Sequence, residues 1–360
     1  MKRVHNFSAG PAILPLDVVL KSASAVTEYA ELGMSVMEMS HRSKPIVNIF
    51  DEAVADCLEL MGLSSQDYAV CFVGGGASLQ FLMLPWNFLK KKASYFNTGA
   101  WADKSITEAQ NVGPVDVIGS SKELNFNHIP KHYEVDPDSD YLHYTSNNTI
   151  FGTRFANIPD SNGVPLVCDM SSDIFSRQID FSKFDLIYAG AQKNMGPAGA
   201  TMIVIKRSWL DSSGKDVKET MLSYKTHIKK DSMFNTPPVL PVYILGQTFK
   251  WLKQNGGVEW IEAINNRKAS KLYDAIDSSG GFYKGSVVEP GDRSIMNVTY
   301  NLPTSELEKK FVEEAGQQDL SGLKGHRSVG GIRASIYNAL PEESVDRLID
   351  FMVSFQKNNM

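Results

Sequence analysis

Four short apolar runs constrain this chain more than any other feature: YAVCFV at 68–73, VPLVCD at 164–169, DLIYAG at 185–190 and ATMIVIK at 200–206. Each is rich in Val, Ile or aromatic residues and is punctuated by Gly, Pro or Asp. Continuous apolar runs of this length read as strands buried on both faces, the condition of a parallel sheet covered by helices. Helical stretches lie between them, including PIVNIFDEAVADCLELMG at 45–62, stopped by Gly62, and SLQFLMLPWNFLKKK at 78–92. Pro237, Pro238 and Pro241 make residues 231–245 a loop that leads into a helix near VYILGQTFKWLKQNGG, which Gly256 and Gly257 close. Short strands such as SIMNVTY at 294–300 and a terminal helix from Glu342 follow. The alternation predicts an α/β fold with a mainly parallel sheet. At 360 residues the chain exceeds one usual core, so a smaller C-terminal α/β domain is expected after a break near residue 256.

Composition narrows the function classes. Hydrophobic residues make up 42% and charged residues 21%, the balance of a soluble globular protein. A net charge of -5 argues against nucleic acid as the main partner. No run approaches the roughly 18 apolar residues of a membrane span, and MKRVHNFSAGPAIL at the N-terminus lacks an apolar stretch of signal-peptide length. Cys57, Cys71 and Cys168 form no CxxC and no disulfide framework. A reduced, cytoplasmic protein is the expectation.

Several residues carry chemistry. Lys193 follows the third apolar run, within AGAQKN at 189–194. Such a lysine is either a charged loop residue, the common case, or one held in a pocket where desolvation turns an ammonium into a nucleophile. Gly74, Gly75 and Gly76 join a strand to a helix. They serve either a tight turn or the close approach of an anion to first-turn N–H groups. Neither a P-loop lysine nor GxGxxG accompanies them. Asp169 ends VPLVCD, where a carboxylate faces the ligand crevice of a parallel sheet or caps a following helix. GHRSVGGIRASIYNAL at 325–340 concentrates His326, Arg327 and Arg333, and MSHRSKP at 39–45 adds His41 and Arg42. Guanidinium forks bind carboxylates and phosphates, so these groups point to an anionic substrate with two acidic ends. His128 and His132 have the spacing of a zinc helix, but Pro130 lies between them and no HExxH glutamate is present, so no metal site is expected.

Taken together, seven segments resemble the phosphoserine aminotransferases, pyridoxal-phosphate enzymes of the aspartate-aminotransferase fold type I. They are FSAGPAILP at 7–15, SHRSK at 40–44, GGGAS at 74–78, NTGAWADK at 97–104, AGAQKNMGPAG at 189–199, MFNTPPV at 233–239 and GHRSVGGIRASIYNAL at 325–340. The resemblance implies a segment 1–15 packing with the small domain, a large cofactor domain over 16–255 and a small domain over 256–360. It makes Lys193 the Schiff-base lysine, Asp169 the partner of the pyridine nitrogen and Trp101 the ring-stacking aromatic. Gly76, Ala77 and Gln192 match phosphate-cup positions, and Thr149 matches a cofactor contact. Asn235 and Thr236 match residues that reach the phosphate from a neighbouring subunit, which implies a homodimer with shared sites. Asn148 stands where a Glu is frequent, and the Ala77-Ser78 pair is a variable position.

The implied reaction interconverts 3-phosphohydroxypyruvate and L-glutamate with O-phospho-L-serine and 2-oxoglutarate, in serine biosynthesis. Family members also transaminate 4-phosphohydroxythreonine on the way to pyridoxine. Arg333 would take the α-carboxylate, and His41, Arg42, His326 and Arg327 the far anionic end. Other enzymes of this fold fit less well. A cysteine desulfurase needs a C-terminal-half cysteine, and all three here lie at or before 168. Alanine–glyoxylate and serine–pyruvate aminotransferases have less need for two His–Arg pairs. A silent cofactor-binding regulator would not need Lys193, Asp169 and Arg333 together.

Overall fold

A computed structural model describes residues 3–360 of the chain. The strands are β1 (His5–Asn6), β2 (Tyr68–Val73), β3 (Ala93–Asn97), β4 (Val115–Ser120), β5 (Leu142–Thr145), β6 (Leu166–Asp169), β7 (Leu186–Gly190), β8 (Thr201–Lys206), β9 (Lys284–Gly285), β10 (Asn297–Asn301), β11 (Leu320–Ser321) and β12 (Ile332–Ser335). The helices are α1 (Leu16–Thr27), α2 (Lys44–Met61), α3 (Gly76–Phe88), α4 (Ala100–Gln110), α5 (Arg207–Ser213), α6 (Tyr224–Lys229), α7 (Val239–Gln254), α8 (Gly257–Asp277), α9 (Ser305–Gln317) and α10 (Glu342–Asn359).

Seven strands form the central sheet in the order β2-β8-β7-β6-β5-β3-β4. All pairings are parallel except those of β8, which runs against both β2 and β7. The apolar runs owe their continuity to two cores. Val70, Phe72, Cys168, Ile187, Met202 and Val204 point into a core that also takes residues of α2 and α7. Their neighbours Cys71, Val73, Val167, Tyr188 and Ile203 point into a second core with α3, α4 and α6. Alternate side chains of one strand therefore enter opposite layers, and neither face is left for water.

A further core combines Phe7 and Ile13 with residues from 269 to 355. β1 pairs in parallel with β11, and β10 lies between β12 and β9. Helix α8 is the bridge: Ile261 belongs to the core of the large sheet, Ala269 to this one.

Local boundaries differ from the sequence expectation in two places. Helix α3 stops at Phe88, where Leu89 turns extended, rather than running through the lysines to 92. Helix α7 starts at Val239, early enough to include Pro241, which a first helical turn tolerates because its N–H is not needed there. Gly256 follows the Asn255 cap of α7 with φ 107°, and Gly257 already begins α8. Among the described residues, no helix is long and apolar enough to cross a membrane.

Candidate active site

Register brings the chemistry to one edge of the sheet. Val73 of β2 lies beside Thr201, and Thr201 beside Gly190, while Asp169 lies beside Tyr188 and Thr145. The carboxyl ends of β2, β5, β6 and β7 therefore share one crevice, the usual ligand position in such a sheet.

Asp169 is only 4% exposed. Its Oδ1 accepts from Ser171 N at 2.9 Å and Ser171 Oγ at 2.6 Å, and Gly190 N donates to that same Oγ at 3.0 Å. This is an Asx turn rather than a helix cap, because residues 170–176 form a turn and no helix. Burial raises the Asp169 carboxyl above its ordinary value, while Lys193 and the Ser171 bonds pull it down. A buried carboxylate so placed favours a cationic partner in the crevice.

Lys193 sits on the turn after β7. It is half-buried there. Desolvation lowers the ammonium below its ordinary value, Asp169 opposes the shift, and Arg333 adds to it. The backbone of Gly10 passes close, so that a Cβ there would lie 3.4 Å from Lys193 Cγ. Lys193 Nζ is 5.9 Å from the Trp101 ring centroid.

Trp101 stands in the first turn of α4 and donates from Nε1 to Thr149 Oγ1 at 3.2 Å. Arg333 on β12 donates from Nη1 to Thr149 O at 3.1 Å. Its Nε is buried without a partner, an orphaned donor that an incoming carboxylate would satisfy. Asn148, beside Thr149, is buried and donates to the hydroxyls of Thr98 and Thr153 at 3.2 and 3.1 Å. A short amide fits this position because a Cβ on Gly99 would already lie 2.5 Å from Asn148 Oδ1.

Gly76 and Ala77 open α3 behind Gly75, whose φ of 90° is a left-handed conformation. No atom lies within 4 Å of a Cβ built on Gly76, so the backbone there is open to a ligand. Gln192 is half-buried on the Lys193 turn, and its carbonyl accepts from Ala12 N at 2.9 Å.

The basic groups divide into two sets. His326 and Arg333 line a cavity of about 500 Å³ together with Asn125, Ile150, Lys284 and Asn301. Burial lowers the His326 imidazole, and Arg333, Arg327 and Lys104 add to the shift, which marks a strongly positive corner. Arg327, next in the chain to His326, is exposed. Lys104, absent from the sequence reading, lies 4.5 Å from the Trp101 ring centroid. His41 and Thr236 instead line a different groove, with Met37, Met39, Pro237 and Leu240. Arg42, Asn235 and Thr236 are exposed, and Asn235 Nδ2 reaches only Thr236 O, at 3.3 Å. The single chain thus gathers Lys193, Asp169, Trp101, Thr149 and Arg333, and leaves His41, Arg42, Asn235 and Thr236 in a separate patch. His128 pairs with Asn127 Oδ1 at 2.9 Å, and among the described residues no group of three His, Cys, Asp or Glu converges as a metal site.

An α/β fold that gathers a lysine, a buried carboxylate and an aromatic at the carboxyl edge of its sheet fits the framework expected of a fold type I pyridoxal-phosphate enzyme. A family model described as aminotransferase class-V matches residues 4–348, and the chain belongs to that family. Within it, the chain groups with the phosphoserine aminotransferases. The one from Flavobacterium psychrophilum is 52% identical over 350 residues, 97% of each chain. A phosphoserine aminotransferase structure from Bacillus circulans subsp. alkalophilus superposes with a TM-score of 0.97 at 46% identity, covering 100% of both chains. The PLP-bound phosphoserine aminotransferase of Trichomonas vaginalis gives a TM-score of 0.92 at 36% identity, over 98% of this chain and 100% of that one.

Proposed function

We propose that this protein is a pyridoxal-phosphate-dependent phosphoserine aminotransferase, exchanging the amino group between L-glutamate and 3-phosphohydroxypyruvate. The observation that carries this is the desolvated Lys193 beside a buried Asp169, in a crevice whose far wall is positively charged. When bound, pyridoxal phosphate supplies the electron sink that makes an amino-acid α-proton labile. Asp169 has Oδ1 held by Ser171, and Oδ2 would help keep the cofactor's ring nitrogen protonated. Trp101, fixed by its bond to Thr149, would hold the cofactor ring in place. The open backbone at Gly76, with Ala77 and Gln192 beside it, would hold the phosphate at the N-terminus of α3. Lys193 Nζ, with its ammonium disfavoured by burial, takes and returns the substrate α-proton.

Arg333 orients the substrate through its free Nε and second Nη, gripping the α-carboxylate that both amino acids share. The distal carboxylate or phosphate meets His326 and Arg327. His41 and Arg42 complete that end from a second copy of the chain. They share a surface with Asn235 and Thr236, which would reach the partner's cofactor phosphate. Met37 at 55% and Phe234 at 39% exposure give this surface the apolar character of a subunit contact. The enzyme would be a cytoplasmic homodimer, divided near residue 256 into the two domains expected from the sequence. 4-Phosphohydroxythreonine offers the same two anionic ends and would serve as a second substrate, linking the enzyme to pyridoxine synthesis. The test is to supply phosphoserine and 2-oxoglutarate to the purified holoenzyme. Glutamate should form with a change in the cofactor spectrum. Turnover of alanine with glyoxylate but none of phosphoserine would overturn the assignment.

A further inference from the structure

Asp169 and Arg333 lie on β6 and β12 and Lys193 on the turn after β7, and each of the three strands ends in a turn: 170–176, 191–196 and 336–340. Four buried polar side chains join these turns. Asn194 donates from Nδ2 to Ile174 O in the first turn and accepts at Oδ1 from Asn338 N in the third, both at 3.1 Å. Asn338 donates to Phe175 O at 2.9 Å and accepts from Asn265 Nδ2 at 2.8 Å. Asn265, on α8, also donates to Ser176 O at 2.9 Å. One turn further along α8, Lys268 Nζ donates to Ile336 O, Tyr337 O and Leu340 O at 2.9, 2.8 and 3.2 Å.

All four are buried: Asn265 and Lys268 are 0% exposed, Asn338 6% and Asn194 7%. An ammonium in an apolar interior is costly unless every proton is accepted. Here three carbonyls meet three donors. Burial pushes Lys268 down to about 7, and Glu342 works against the shift. An apolar side chain would fill the same volume without that cost, but it would leave the 336–340 turn free to slide. What the lysine adds is a fixed position for three backbone groups directly after the Arg333 strand.

We infer that Asn194 and Lys268 are positioning residues that hold the Arg333 strand in register with Lys193 and Asp169. Neither touches substrate or cofactor in this account. They act through the turns, so the effect on chemistry rests on the reading of Arg333 as the α-carboxylate anchor. A displacement of about 1 Å between anchor and base is enough to cost up to roughly a hundredfold in kcat/KM.

The test compares holoenzyme of the wild type, Asn194→Ala, Asn265→Ala and Lys268→Met by hydrogen exchange and by steady-state kinetics. Asn194→Ala should speed exchange in all three turns while α9 stays unchanged. It should raise KM for both phosphoserine and glutamate about tenfold, with a smaller fall in kcat. Lys268→Met should concentrate its exchange increase in 332–340 and give the same KM signature. If Lys268→Met does not fold, the Asn265→Ala variant reads the same α8 link. Faster exchange confined to 191–196 in Asn194→Ala, or a loss of kcat at unchanged KM, would overturn the inference. The exchange measurement needs no substrate, so it decides the coupling even if the enzyme turned out to use another amino donor.

Discussion

Two regions of this chain carry similar residues in opposite circumstances. Around Lys193, polar and charged groups are buried, bonded to fixed partners and shifted from their ordinary protonation. Around His41 and Thr236, the groups are mostly exposed, contact little beyond their own loop and line an apolar groove. The first region is preorganised by the fold of one chain. The second has a recognition composition without a site on its own chain, which is what a surface completed by a second copy looks like. Under the proposed function, the first region would carry the bond-making chemistry and the second part of the anion recognition.

Variants that strike the first region should have the largest effects. In the proposed function Lys193 is both the cofactor attachment and the proton carrier, so Lys193→Ala should lower turnover at least about a thousandfold. Borohydride reduction and peptide mapping should place the cofactor on the 189–199 peptide. A label on another lysine contradicts the assignment. Asp169→Asn should retain cofactor but lose roughly a hundredfold or more in turnover, because a neutral amide cannot stabilise the ring-nitrogen proton. Near-normal rates would reduce Asp169 to an Asx-turn residue.

Substrate-binding variants sharpen the comparison at intermediate size. Arg333→Leu should damage the phosphoserine and glutamate half-reactions alike. Arg42→Leu and Arg327→Leu should each cost phosphoserine more, by roughly tenfold to a hundredfold, since a phosphate dianion engages more donors and each charge-assisted bond is worth about 1.5–3 kcal/mol. Single-turnover rates of each half-reaction decide this, and equal losses for both substrates would make the pocket a general anion clamp.

The remaining effect lies behind the site and changes stability in acid, with the least consequence for turnover near neutral pH. His143 is wholly buried, bonded at 2.9 Å to the hydroxyl of Tyr188, and desolvation pushes its imidazole down to about 3. The unfolded chain therefore binds a proton that the folded chain refuses between about pH 6.5 and 3. Stability must fall as pH drops through that window, by at most about 1.4 kcal/mol per pH unit from this group. His143→Gln should show a shallower acid limb in denaturant titrations. An unchanged limb would mean that the imidazole is protonated in the folded protein.

The sequence was legible where physics is local. The runs at β2, β6, β7 and β8 were readable because both faces of each strand are buried, and Gly62 ends α2 in the left-handed conformation expected of it. Strands β3, β4 and β5 escaped notice because ASYFN, VDVIGS and LHYT mix polar and apolar residues; β4 lies on the sheet edge and is partly exposed. Within the site, Lys193, Asp169 and the basic groups stood out by type and place. Ser171 was recoverable from the Asp-x-Ser spacing of an Asx turn. Asn194, Asn265 and Lys268 were not, because their partners are backbone groups far along the chain.

The division between the two regions is tested most directly by complementation. Lys193→Ala chains lack the base but keep the 235–236 surface, and an Asn235→Ala/Thr236→Ala chain has the reverse defect. Random exchange makes half of the dimers hybrids, each with one intact site, so the mixture should recover about a quarter of wild-type activity. If hybrids form and activity stays at the sum of the two parents, the site is complete within one chain and the account of the second region is wrong.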